Sequence, residues 1–134
     1  MKGIVIYDSS YGNTKKIAET ITETLKESGI ETDLFWVRKV KRLNANDYYF
    51  LVLGSPTRFG TYSFATRFFF GKVGKDWVNK PFVAFDTENP ENMEKKEWSA
   101  AEKIAQMLKD KKLNQILSLL KPAVIGQKGP LSSD

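Results

Sequence analysis

Apolar positions along the chain follow two rhythms. Ile4-Val5-Ile6-Tyr7 is a continuous apolar, β-branched run that ends at Asp8, the pattern of a strand covered on both faces. After the polar stretch Ser9 to Thr14, the residues Ile17, Ala18, Ile21 and Leu25 recur at the spacing of one helix face, and Ser28-Gly29 supplies a stop. Short apolar runs predict further strands at Thr32 to Val37, Tyr49 to Leu53, Phe82 to Phe85 and Ala123 to Ile125. Ser63 is placed to cap a helix through Phe64, Ala65, Phe68 and Phe69 that fades at Gly71 and Gly74. The longest helical pattern sets Trp98, Ala101, Ile104, Ala105 and Leu108 on one face, with a second short turn through Ile116, Leu117 and Leu120 before Lys121-Pro122. Strands that alternate with helices predict an α/β domain over residues 1–134, with a parallel sheet, right-handed crossovers and helices on both faces. Neither a repeat nor a linker interrupts it.

Composition narrows the chemistry. The 134 residues contain no cysteine and no histidine, which excludes thiol nucleophiles, disulfides, cysteine- or histidine-bound zinc and a Ser-His-Asp relay within this chain. Reactivity near neutral pH then falls to carboxylates, lysines or a bound cofactor, and a cofactor is the leading expectation. Lys plus Arg number 21 against 16 Asp plus Glu, a moderate net charge of +5 that favours an acidic partner or nucleic acid. No apolar run approaches the roughly 20 residues of a membrane span, and Met1-Lys2-Gly3 leads straight into the first strand. A cytoplasmic protein without membrane contact is expected.

The loop Ser9-Ser10-Tyr11-Gly12-Asn13-Thr14 joins a buried strand to a helix, where free backbone N–H groups and the positive helix end attract an anion. Ser9, Ser10, Asn13 and Thr14 are short donors for phosphate oxygens, and Gly12 admits close backbone approach. The spacing is neither Walker-type nor the dinucleotide glycine pattern, which argues against a nucleoside triphosphate or NAD. An ordinary Ser/Thr-capped turn would look similar. Its position beside a first parallel strand favours the phosphate.

Val5 to Ala18 resembles the phosphate-loop signature of the flavodoxin family, and Gly54-Ser55-Pro56-Thr57-Arg58-Phe59-Gly60 resembles the flavin-contacting loop of flavodoxin-like proteins and related quinone reductases. Ala84-Phe85-Asp86-Thr87, with Gly129-Pro130-Leu131, is a weaker likeness to a small-flavodoxin subgroup. The resemblance implies a three-layer flavodoxin-like sandwich, strand order 2-1-3-4-5, that binds FMN at the carboxyl ends of strands one, three and four. It implies that Ser9, Ser10, Gly12, Asn13 and Thr14 hold the phosphate, that Ser55, Pro56, Thr57, Arg58, Phe59 and Gly60 line the ribityl chain and ring, and that Asp86, Thr87, Glu88 and Asn89 form the third loop. Tyr11, Phe59 and Tyr62 are the aromatic candidates at the ring. The implied function is an electron carrier serving a redox partner protein. The alternatives are an FMN-dependent quinone or small-molecule reductase and a flavin-free interaction module of the same fold.

Departures from the family pattern shape the remaining expectations. The third loop, Asp86-Thr87-Glu88-Asn89-Pro90, lacks the aromatic residue and glycines the family often places there. The charge of +5 contrasts with typically acidic flavodoxins. With a last strand at Ala123 to Ile125, nine residues remain, too few for the last helix. A sheet face left bare would expose an apolar patch, so a homodimer or standing partner chain is expected, through that face or the Phe64 to Phe70 helix. Core packing is nonetheless the expected fate of Phe64, Phe68, Phe69 and Phe70. The basic clusters Arg38, Lys39, Lys41, Arg42 and Lys109, Lys111, Lys112 read as solvated surface or helix-dipole complement, and nucleic acid is not an expected partner. A receiver domain shares this fold, but its phospho-acceptor aspartate is replaced by Gly54-Ser55.

Overall fold

The computed structural model describes residues 2–9, 12–57, 61–87 and 99–116. Five parallel strands, β1 (Lys2–Tyr7), β2 (Glu31–Trp36), β3 (Phe50–Pro56), β4 (Pro81–Thr87) and β5 (Asn114–Gln115), form one sheet in the order β2-β1-β3-β4-β5. The helices among the described residues are α1 (Asn13–Glu27), α2 (Phe64–Phe69) and α3 (Ala100–Asp110). The chain leaves β1 for one neighbour and later returns to the other side of β1 as β3. That reversal opens a crevice at the carboxyl ends of the two strands.

Period-two alternation explains why the strands read as unbroken apolar runs. Ile4 and Ile6 enter one core with Leu51, Leu53, Phe82 and Trp77 and with Ile104 and Leu108 of α3. Val5 and Tyr7 enter the other with Val52, Phe85 and α1 residues Ile17 and Ala18. α1 stops as its sequence predicts: Gly29 turns left-handed (φ +90), its N–H reaches Lys26 O at 2.9 Å, and Ile30 N–H reaches Leu25 O at 2.9 Å. Ser63 caps α2, accepting the Thr66 N–H at 3.3 Å.

Three expectations are corrected. The fifth strand among the described residues is Asn114–Gln115, just ahead of the turn expected through Ile116, Leu117 and Leu120, while Ala123 to Ile125 lie outside the described residues. α3 ends through Lys112, a non-glycine residue at φ 73, so that Leu113 N–H bonds Leu108 O at 3.0 Å and the chain re-enters the sheet at once. Asn and Gln have little strand preference, and pairing with Pro81 and Phe82 overrides it. Nineteen residues therefore follow the strand instead of nine (134 − 115), and among the described residues no helix comes after it. Second, the expected bare sheet face is not seen, because Val5, Phe50, Val52, Val83 and Phe85 are all buried. Third, of the four phenylalanines on and just after α2, Phe69 and Phe70 enter the core, and Phe64 and Phe68 face water.

The edge strand β2 is tied down by a polar cluster. Tyr48 donates its hydroxyl to Asp33 at 2.6 Å, and Asp33 also meets Lys2 at 3.2 Å. Burial, and then the Asp33 carboxylate, push the Tyr48 phenol well above its ordinary value of 10.0. The folded state thus holds this proton more tightly than the unfolded chain. Its stabilisation is complete below the usual tyrosine range and is lost as pH rises through the raised value. Tyr48→Phe is expected to cost roughly 0.5 to 1.5 kcal/mol at neutral pH and to flatten the alkaline fall in stability. Melting temperatures of both proteins between about pH 9 and 12 check this.

Candidate functional site

The phosphate-loop expectation rests on the start of α1. Gly12 precedes the helix in the left-handed region at φ 91, where a side chain is strained, and nothing lies within 4 Å of a Cβ built there. Ser9 Oγ accepts the Gly12 N–H at 2.9 Å and closes the turn. Lys16 is the first amide to find a carbonyl, that of Gly12 at 3.0 Å. Among the described residues the N–H groups of Asn13, Thr14 and Lys15 meet no acceptor, and the first turn contains no acidic side chain. Free amides, a positive helix end and open space suit an anionic group such as a phosphate monoester.

Register assembles the rest of the rim. Tyr7 pairs with Gly54, Pro56 with Thr87, and Asp8 N–H bonds Gly54 O at 3.1 Å, so the ends of β1, β3 and β4 meet. Thr14, buried at the base of the phosphate loop, places its hydroxyl 2.9 Å from that of Thr87. Ser55 is buried too, accepting the Ser63 N–H at 2.9 Å and donating to Pro56 O at 2.9 Å. Thr57 donates to Asp86 Oδ2 at 3.2 Å and accepts the Ala100 N–H at 3.1 Å, and Asp86 Oδ2 also accepts the Ala101 N–H at 2.9 Å.

These bonds sort the residues that the sequence singled out. Ser9 and Gly12 close the turn before Asn13, Thr87 meets Thr14, Ser55 bonds the segment that leads into α2, and Thr57 and Asp86 tie β3 and β4 to α3. Tyr62 is half-buried and packs edge-on against Phe70, with ring centroids 5.0 Å apart. That is core packing. Ser10, Tyr11, Arg58, Phe59, Gly60 and Glu88 lie outside the described residues.

Sequence reasoning missed one cluster at this rim. The buried Asp8 accepts the Trp36 indole N–H at 3.1 Å, Arg38 approaches the same oxygen at 3.8 Å, and its guanidinium lies 5.7 Å from the Trp36 ring centre. The signal was an acid ending one strand and an indole ending the next. Parallel pairing of Tyr7 with Trp36 brings both to one edge.

A family model described as a flavodoxin domain matches residues 4–129. The chain belongs to the flavodoxin domain family. Members of that family bind a flavin, typically FMN. Among solved structures, a flavodoxin from the domain Archaea superposes with a TM-score of 0.80 at 21% identity, covering 92% of this chain and 83% of that one. Oxidised flavodoxin 2 of Bacillus cereus gives a TM-score of 0.80 at 22% identity over 92% and 84%. Among curated proteins, the protoporphyrinogen IX dehydrogenase (quinone) of Escherichia coli is 31% identical over 72 residues, 54% of this chain. That match spans only 40% of the relative's length. Among the described residues of this flavodoxin-domain chain there is no cluster of three metal-binding side chains, and no helix is long and apolar enough to cross a membrane.

Proposed function

We propose that this protein binds FMN non-covalently in the crevice at the ends of β1, β3 and β4 and exchanges electrons with a protein partner. The observation that carries the reading is the start of α1, with its open left-handed Gly12 and three amides that meet no acceptor among the described residues. When bound, the flavin ring supplies the redox chemistry. The chain's own part is to bind and orient it. The amides of Asn13, Thr14 and Lys15, with the side chains of Ser9 and Asn13, would hold the phosphate. Thr14 with Thr87, and Thr57 with Asp86, would keep the loops in register. With no histidine or cysteine, the chain is better equipped to bind than to move protons.

A titration tests this directly. Added FMN is expected to lose fluorescence on binding and to raise the melting temperature, because a ligand specific to the folded state stabilises it by about 2.7 kcal/mol at one hundred times its Kd. Absence of both effects would favour a flavin-free interaction module. The Escherichia coli relative, a quinone-linked dehydrogenase, supports a second reading, an FMN-dependent quinone or small-molecule reductase. Turnover of a quinone by the FMN-loaded protein with NAD(P)H would favour it.

A further inference from the structure

Two segments run back from the crevice along one side of the domain. One is the connection from β2, residues 37–44, and the other is α2 with the turn Phe70–Lys72. They lie side by side because Val37, Val40 and Leu43 share a core with Phe69, Phe70 and Val73, and α2 touches the turn Val37–Lys39. Their outer surface carries Arg38, Lys39, Lys41, Arg42 and Arg67 exposed, with Lys72 half-buried. Among the described residues, Arg38 alone of these six has a carboxylate within ion-pair distance, that of Asp8. Two adjoining open pockets of about 300 and 340 Å3 share Lys41, Arg42 and Asn44. Asp47 lines the first and Asp76 the second, leaving cations in the majority.

At the crevice end of this basic stripe stands an aromatic pair. Phe64 and Phe68 are 69% and 67% exposed, one helical turn apart, with their rings edge to face at 5.1 Å. Phe64 follows Ser63, whose N–H bonds Ser55 at the end of β3, so the pair begins at the rim of the candidate flavin site. Exposed rings gain by burial against a partner, and aromatic residues with arginine are the usual anchors of protein interfaces.

We infer that this face docks an acidic protein, with Phe64 and Phe68 as its apolar anchor and the cations from Arg38 to Lys72 as its electrostatic guide. The purpose of such docking, electron transfer at the crevice, rests on the proposed function; the surface does not. Charge complementarity identifies the occupant, since unpaired cations steer and select carboxylate-rich surfaces. A second copy of the chain is disfavoured because a two-fold interface here would set the same cations against one another. Nucleic acid would suit the charge, but the two rings pack on each other instead of offering a row of free faces for base stacking.

The test is an NMR titration of isotopically labelled protein, with and without FMN, using an acidic [2Fe–2S] ferredoxin as the probe. Amide shifts or broadening are expected at residues 36–42 and 64–72 in both forms, with affinity falling at least about tenfold when salt rises from about 20 to 200 mM. Lys41→Glu combined with Arg42→Glu should weaken binding about tenfold or more and remove most of the salt dependence. Phe64→Ser combined with Phe68→Ser should weaken it comparably and leave the salt dependence in place. Both double variants should bind FMN as the parent does. The inference is overturned by shifts elsewhere or none, by equal binding of a basic cytochrome c, by tighter binding of a short single-stranded DNA at this face, or by a homodimer that the phenylalanine variant dissociates. Failure to bind FMN would refute the flavin reading and leave the FMN-free titration standing.

Discussion

Gly54→Ala is expected to lower stability by about 3 kcal/mol, the upper end of what an extra core methyl costs. Gly54 lies in β3 between Tyr7 and Phe85, and a Cβ there would sit 2.0 Å from the Phe85 ring tip, with two more ring atoms at 2.3 Å. Phe85 has no exposed surface and is held among Val5, Tyr7 and Ile17, so the ring cannot swing into solvent. The melting temperature should fall by roughly 10 °C. Phe85→Leu costs stability by itself, yet added to Gly54→Ala it should recover part of the loss, because the smaller side chain makes room for the methyl. Thermal melts of the parent, both single variants and the double variant measure the coupling. An unchanged melting temperature for Gly54→Ala would show that the ring does not occupy the space above the glycine.

The second large effect concerns the phosphate. Asn13→Ala is expected to weaken FMN about tenfold to a hundredfold while leaving riboflavin nearly unaffected, since hydrogen bonds to a charged group contribute about 1.5 to 3 kcal/mol. Thr14→Ala should also weaken FMN more than riboflavin, but it has a further consequence. The Thr14 hydroxyl is buried and meets Thr87 at 2.9 Å, so its loss leaves a buried hydroxyl without that partner. The FMN-free Thr14→Ala protein should therefore melt lower than the parent, whereas the FMN-free Asn13→Ala protein should not. Fluorescence titrations with the two flavins, beside melts without either, separate the two roles. Equal weakening of FMN and riboflavin by Asn13→Ala would remove the phosphate from this loop.

Local pattern was enough for much of this protein. The apolar run at Ile4 to Tyr7, the helix spacing of Ile17, Ala18, Ile21 and Leu25, and the stop at Ser28-Gly29 are short-range features, written within a few residues of where they act. They sufficed for the alternating α/β architecture, whereas the strand order, implied by the family resemblance and not by local pattern, is the one observed. The loop at Gly12 was legible for the same reason, as a polar stretch between a strand and a helix, while the left-handed φ of 91 at Gly12 came from the structure.

Tertiary structure decided what depends on partners distant in the chain. Asn114–Gln115 is a strand because Pro81 and Phe82 of β4 present an edge to it, and no preference of its own would have made it one. Ser55, Thr57 and Asp86 carry polar groups that by type could have met a ligand. Instead they bond Ser63, Ala100 and Ala101, between 8 and 43 residues away. The fate of the four phenylalanines on and after α2 was likewise undecided by pattern. Phe69 and Phe70 share a core with Val37, Val40 and Leu43, leaving Phe64 and Phe68 exposed on the face that carries the exposed cations. Periodicity states which residues share a face, whereas only the packing of other elements decides which face is covered.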